Sequence, residues 1–157
     1  MADSSRRAAA AQSKGGLPNA MFLVGAADDL PGPLAGRVDL LTIALPWGSL
    51  LRGVLTADQA LVSGMTGLLR PTGEIELLVS ASDRDAAAHG VTLVDEADAV
   101  DLSRRLECVG LQIVECRLAV ESDVERLSSG WGRRLGIPAR RRAWLLRAKR
   151  GPAAAQP

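Results

Sequence analysis

Apolar residues along this chain gather into short runs separated by glycine- and proline-rich connections, not into one continuous period. Asp3, Ser4 and Ser5 ahead of an alanine-rich run predict an opening helix, which GGLPN ends. MFLVGAA (21–27) is read as a first strand, and the following DDLPGPLAGR as a loop. VDLLTIALP (38–46) carries β-branched residues and no helical stripe, which predicts a strand buried on both faces. Leu50 to Leu69 is helix-compatible, with Thr56 and Asp58 suggesting a second start and Arg70-Pro71 a stop. EIELLVSAS (74–82) predicts a third strand. DEADAVDLSRRLECVGL (95–111) follows as a helix with a glycine stop, and LQIVECRLAVES (111–122) as a fourth strand. SDVERLSSGWGRRLG (122–136) reads as a helix with a basic end, ARRRAWLLRAKR (139–150) as a final strand, and GPAAAQP (151–157) as a disordered tail.

Helices lying between most of the apolar strands predict an α/β layered domain with a mainly parallel sheet and an antiparallel insertion at the last edge. In such sheets ligands sit beyond the carboxyl ends of the strands. Trp47 falls at one of those ends, directly after Pro46 and before Gly48.

Composition changes this picture little. The 157 residues, 47% hydrophobic, suit one core, and the net charge of +1 gives no global attraction to nucleic acid or membrane. Cys108 and Cys116 have no further partners and read as reduced core thiols. No apolar run is long enough to span a bilayer and the start lacks a signal-peptide centre, so a cytoplasmic protein without membrane association is expected. Charge is nevertheless segregated. Arg133, Arg134, Arg140, Arg141, Arg142, Arg147, Lys149 and Arg150 crowd the last third, while Arg6, Arg7 and Lys14 lie near the start. Such clustering suits phosphate binding, and it equally suits solvated faces.

Three features could carry chemistry. Pro46-Trp47-Gly48-Ser49 and Ser128-Ser129-Gly130-Trp131-Gly132 each set an indole beside glycines and a hydroxyl. Flat rings so placed can grip a planar group, or they can cap a core edge with their N–H groups in water. Trp144, alternating with apolar neighbours, reads as core. Asp28 in VGAADDLP can accept hydrogen bonds from an adenine amino group or a ribose, and aspartate is also a common turn residue. There is no GxGxxG, no phosphate loop, and a single histidine, His89, so triad hydrolysis and a metal site are disfavoured.

Taken together, NAMFLVGAADDLP, LPWGSLLRGVL and SSGWGRRLG resemble the aminoglycoside-resistance 16S rRNA adenine-N1 methyltransferases. The resemblance implies a Rossmann-like class I methyltransferase fold and S-adenosyl-L-methionine as cofactor. It implies 16S rRNA in the 30S subunit as partner, at an adenine N1 of the decoding site, for a monomeric enzyme. It puts Trp47 and Trp131 on the two faces of a flipped base, with Ser129 completing the catalytic group. It lines the cofactor with Ala27, Asp28, Ala44, Leu45, Pro46, Trp47, Gly48, Ser49, Ser129, Gly130 and Trp131, and gives RNA contacts to Arg6, Arg7, Lys14, Arg133, Arg134 and Arg140. Residues 1–150 correspond to a partial domain. The first strands and the glycine-rich cofactor motif of such enzymes have no counterpart here, and Met1 matches an internal position. The expectation is therefore an N-terminally truncated enzyme, the alternative a non-catalytic RNA-binding remnant.

Overall fold

The protein is described from a computed structural model, which covers residues 10, 12–17, 19–20, 25–27, 29–81, 85, 87–88, 90, 93–127, 132, 134–137 and 141–151. Strand β1 (Val38–Ala44) is followed by helices α1 (Gly48–Leu55) and α2 (Gln59–Leu68), then by β2 (Leu69–Val79). Helix α3 (Glu96–Cys108), strand β3 (Leu111–Leu118), helix α4 (Glu121–Leu127) and strand β4 (Trp144–Arg150) complete the order. The expected opening helix falls largely outside the described residues, apart from a 3-10 turn at Gln12–Lys14. Residues 21–24 of the expected first strand also lie outside. Its described end is a turn, in which Ala26 makes an isolated bridge to Asp29. Of the expected tail only Gly151 is described.

Local chemistry explains the helices. Leu51, Val54 and Leu55 give α1 one buried stripe, and the Thr56 hydroxyl donates to the Arg52 carbonyl where that helix ends. Asp58 then caps α2 by accepting from the Leu61 N–H at 2.9 Å, as its sequence position predicts. Asp95 and Asp98 form a capping box at the start of α3, and Gly110, at φ +103, follows its end.

The sheet has the order β1-β2-β4-β3. β1 and β2 pair in parallel, whereas β4 is antiparallel to both β2 and β3. Three strands thus run one way, and the reversed strand is internal, not at the edge as the sequence suggested. β2 also begins earlier than expected. Arg70-Pro71 lies within it, at a bulge where Val38 faces Leu69 and Leu40 already faces Glu74. A side chain at Gly73 would lie 2.7 Å from the Val38 carbonyl oxygen, so the bulge needs glycine there. β3 stops at Leu118 and β4 starts at Trp144, each shorter than the apolar run that signalled it.

Helices α1, α2 and α3 cover one face of the sheet, burying Val54, Met65, Leu102, Ile75, Leu77 and Leu146 among others. The second face is apolar only at the carboxyl end, where Leu45, Leu78, Val124, Ile137 and Leu145 cluster. Further along it carries charge: Arg147 and Lys149 pair with Glu74, and Arg147 also with Glu115. β1 is not buried on both faces as expected. Leu40 is 52% exposed, because β1 is an edge strand among the described residues. Nor are both thiols core groups, since Cys108, on the last turn of α3, is exposed.

Candidate functional site

The carboxyl ends of β1, β2 and β3 lie together with the start of β4, through the pairs Ala44 with Leu78, Val79 with Trp144, and Leu118 with Trp144. The turn leaving β1 at this end has an unusual backbone. Leu45 is left-handed at φ +50, with its N–H donating to the Leu78 carbonyl at 2.7 Å and its side chain buried. That conformation costs a non-glycine residue roughly 1–2 kcal/mol, and it persists because the strand pairing and burial over-determine it. Pro46 is buried, Trp47 is extended, and Gly48 at φ +62 opens α1 with nothing within 4 Å of where a Cβ would sit. The succession turns the Trp47 indole outward, and the residue is 82% exposed. Trp144, by contrast, is 4% exposed and belongs to the main core, as the sequence indicated.

Two cavities flank α1. The larger, of about 610 Å³, lies between Gly25–Ala27 and the face of the helix pair carrying Ser49, Leu50, Arg52 and Gly53. The smaller, of about 170 Å³, is formed by Leu45, Pro46, Trp47 and Leu51 with Ser80, Asp85, Leu135 and Arg141. The structure therefore brings Ala27 and Ser49 to one cleft and Leu45, Pro46 and Trp47 to the other. Ala44 and Gly48 line neither. The larger cleft is within the usual size range for a small-molecule site. The donor set around it is modest: small residues that allow close approach, the Ser49 hydroxyl and the Arg52 guanidinium.

Sequence reasoning missed the polar frame of the smaller pocket. Arg141 donates from Nε to the Ser80 hydroxyl at 2.8 Å, and from a terminal nitrogen to the Ser80 carbonyl at 3.1 Å and the Asp85 carboxylate at 3.2 Å. The Ser80 hydroxyl in turn donates to the Arg142 carbonyl at 2.6 Å. Arg141 stands in a basic run whose density suits phosphate binding or a solvated face, yet in the fold it joins segments 56 residues apart. Arg142 donates to the Val94 carbonyl, and Arg147 and Lys149 are engaged on the sheet face, so these four cations are structural. Of the RNA-contact candidates, Lys14 and Arg134 are described, and both are exposed. Arg6, Arg7, Arg133 and Arg140 lie outside the described residues, as do Asp28, Ser129, Gly130 and Trp131.

Helix α4 is held to the sheet by two arginine–carboxylate pairs. The Asp123 carboxylate, 5% exposed, accepts two bonds from Arg117 at 2.6 and 3.0 Å and one from the Val120 N–H at 2.9 Å. Arg117 lowers its pKa to about 2, aided by the Val120 N–H and opposed by burial. Glu76, 4% exposed, accepts two bonds from Arg126 at 2.7 and 2.8 Å, which hold its pKa below the usual carboxylate range. No group of metal-ligating side chains occurs among the described residues, and no described helix is long and apolar enough to cross a membrane.

Comparison with known proteins gives this geometry a family. The family model for NpmA, 16S rRNA (adenine(1408)-N(1))-methyltransferase, matches residues 1–150. The 16S rRNA (adenine(1408)-N(1))-methyltransferase of Streptoalloteichus tenebrarius is 36% identical over 136 residues, covering 83% of this chain and 62% of its own length. This chain thus spans less than two thirds of that relative. A tryptophan-to-alanine mutant of the corresponding enzyme from Catenulisporales acidiphilia, crystallised with its cosubstrate SAM, superposes with a TM-score of 0.81 at 27% identity, covering 100% of this chain and 73% of its own. The aminoglycoside resistance methyltransferase NpmB1 superposes at 0.71 with 31% identity, covering 93% and 69% respectively. From the match over residues 1–150 and these likenesses, the chain belongs to the NpmA family of 16S rRNA (adenine(1408)-N(1))-methyltransferases.

Proposed function

We propose that this chain acts as an S-adenosyl-L-methionine-dependent methyltransferase on adenine N1 in the decoding site of 16S rRNA, within the 30S subunit, as a monomer. The observation that carries this reading is the outward Trp47 on a strained turn beside a small pocket, in a chain of this family. Aminoglycoside resistance follows as the expected phenotype, and the cytoplasm as the compartment where the ribosomal substrate is met.

Adenine N1 has an in-plane lone pair, so the protein needs no strong base for this transfer. It needs to hold the base out of its stack and in line, and flipping costs a few kcal/mol. Trp47 offers one stacking face, and Trp131 is assigned the other. Leu45, Pro46 and Leu135 wall the pocket beneath, with Arg141 fixed by Ser80 and Asp85 at its polar rim. Ala27 and Ser49, on the larger cleft, would hold the cofactor together with Asp28, Ser129, Gly130 and the backbone of residues 44–48. When bound, the cofactor supplies an electrophilic methyl group on a sulfonium centre. Lys14 and Arg134, with Arg6, Arg7, Arg133 and Arg140, are the proposed phosphate contacts, suited to recognition by charge and shape.

The test is methyl incorporation from labelled cofactor into unmodified 30S subunits, with primer extension to locate the adduct. Incorporation at the decoding-site adenine, giving a reverse-transcriptase stop, is the expected result. Absence of label in 30S under conditions where a full-length relative is active would overturn the proposal for this chain.

A further inference from the structure

We propose that Arg52 is an RNA-binding residue, its guanidinium seating a backbone phosphate next to the target adenine, across the mouth of the small pocket from Arg134. The inference rests on reading Trp47 as the residue that receives the target base. Helix α1 gives the two residues a fixed relation. Trp47 is its N-cap, and Arg52 stands one turn inside, about 6 Å along the axis from Gly48. That distance is close to the span of one nucleotide in an unstacked strand. Buried Leu51 walls the small pocket beside Trp47, while its exposed neighbour Arg52 lines the larger cleft. On the other wall of the small pocket, Leu135 is preceded by exposed Arg134.

The fate of the other arginines singles these two out. Arg117, Arg126, Arg141 and Arg147 are all engaged with carboxylates. Arg37, Arg52, Arg104, Arg134 and Arg150 make no side-chain hydrogen bond or ion pair among the described residues. Arg37 directly precedes β1, and Arg150 pairs with Leu111 at the start of β3, so both sit at the end of the sheet away from Trp47. Arg104 belongs to the half of α3 that leads to β3. Arg52 and Arg134 are thus the unpaired arginines, among those described, at the carboxyl end. Charge then decides what Arg52 meets. The cofactor of this reaction carries a sulfonium and an ammonium against one carboxylate, so an unpaired guanidinium in its cleft repels it on balance. Asp58, the carboxylate lining that cleft, forms no ion pair with Arg52 and has an oxygen engaged by the Leu61 N–H. A phosphate presents two oxygens to the guanidinium fork and is attracted to it at the surface.

Binding of the labelled full chain to unmodified 30S subunits, followed by fluorescence anisotropy across a salt series, tests this. Arg52→Ala should weaken binding about three- to tenfold at moderate salt and lower the slope of log affinity against log salt by about 0.7–0.9. Arg52→Lys should keep most of the slope, because phosphate attraction needs the charge. Arg104→Ala, which removes an equally unpaired arginine elsewhere, should behave as wild type. Calorimetric affinity for the cofactor should not change in Arg52→Ala. An unaltered 30S salt slope in folded Arg52→Ala, or a loss confined to cofactor binding, overturns the inference, as does a wild-type chain with no affinity for 30S. Binding is read without methyl transfer, so a chain that binds 30S through Arg52 yet incorporates no label counts against the proposed function alone.

Discussion

The indole of Trp47 is 82% exposed and that of Trp144 is 4% exposed, so one substitution has opposite consequences at the two sites. Trp47→Ala should leave thermal melting nearly unchanged and cut 30S methylation about ten- to a hundredfold, from a stacking loss of about 1–3 kcal/mol per base. Trp144→Ala should cost about 3–5 kcal/mol of stability. Melting and methyl incorporation measured side by side check both, and a Trp47→Ala chain that unfolds would remove the stacking assignment. Gly48→Ala probes the turn itself. Its Cβ would meet nothing, but φ +62 disfavours a side chain, so a loss of roughly 1–2 kcal/mol in chemical denaturation is expected. Much of this was legible residue by residue: a scarce tryptophan between Pro46 and Gly48 at a strand end announces a surface role. The Arg141, Ser80 and Asp85 frame was not, because a guanidinium in a basic run gives no sign of which distant carboxylate it will meet.

Helix α4 shows how charge governs an element. The Asp123 carboxyl ordinarily titrates at 3.8 and is held near 2 in the fold, so its stabilising effect is complete above 3.8 and disappears as pH falls through about 2. Glu76 is shifted in the same direction. Urea melts between pH 5 and pH 2 should therefore lose on the order of 2 kcal/mol from Asp123. Asp123→Asn should flatten that dependence, and an unchanged slope would contradict the pairing. Elements with local signals read correctly from sequence, namely α2 through Asp58 and α3 through Asp95 and Gly110. The start of β2 did not, because Pro71, ordinarily a terminator, is tolerated at a bulge whose existence depends on β1.

At the scale of the molecule, an α/β layered domain was legible from the alternation of strands and helices, and the class I methyltransferase fold from the family resemblance, but the seat of β4 was not. Which neighbours a strand chooses depends on the whole sheet, and nothing in ARRRAWLLRAKR distinguishes an edge from an interior position. The outer side of β1 is unpaired among the described residues, with Leu40 half exposed on that edge strand. Leu40→Lys is expected to reduce concentration-dependent association in sedimentation velocity, since a charge on an open edge discourages pairing. An identical sedimentation profile would show that this edge is not adhesive. The internal place of β4 also governs the order of events during synthesis. β2 and β3 never touch through backbone bonds; residues 144–150 join them. A nascent chain can form its helices early, yet the flanks of β2 and β3 that β4 covers stay open until residues 144–150 emerge. For this protein β4 works as a keystone, and the interval before it arrives is when a chaperone has the most to protect.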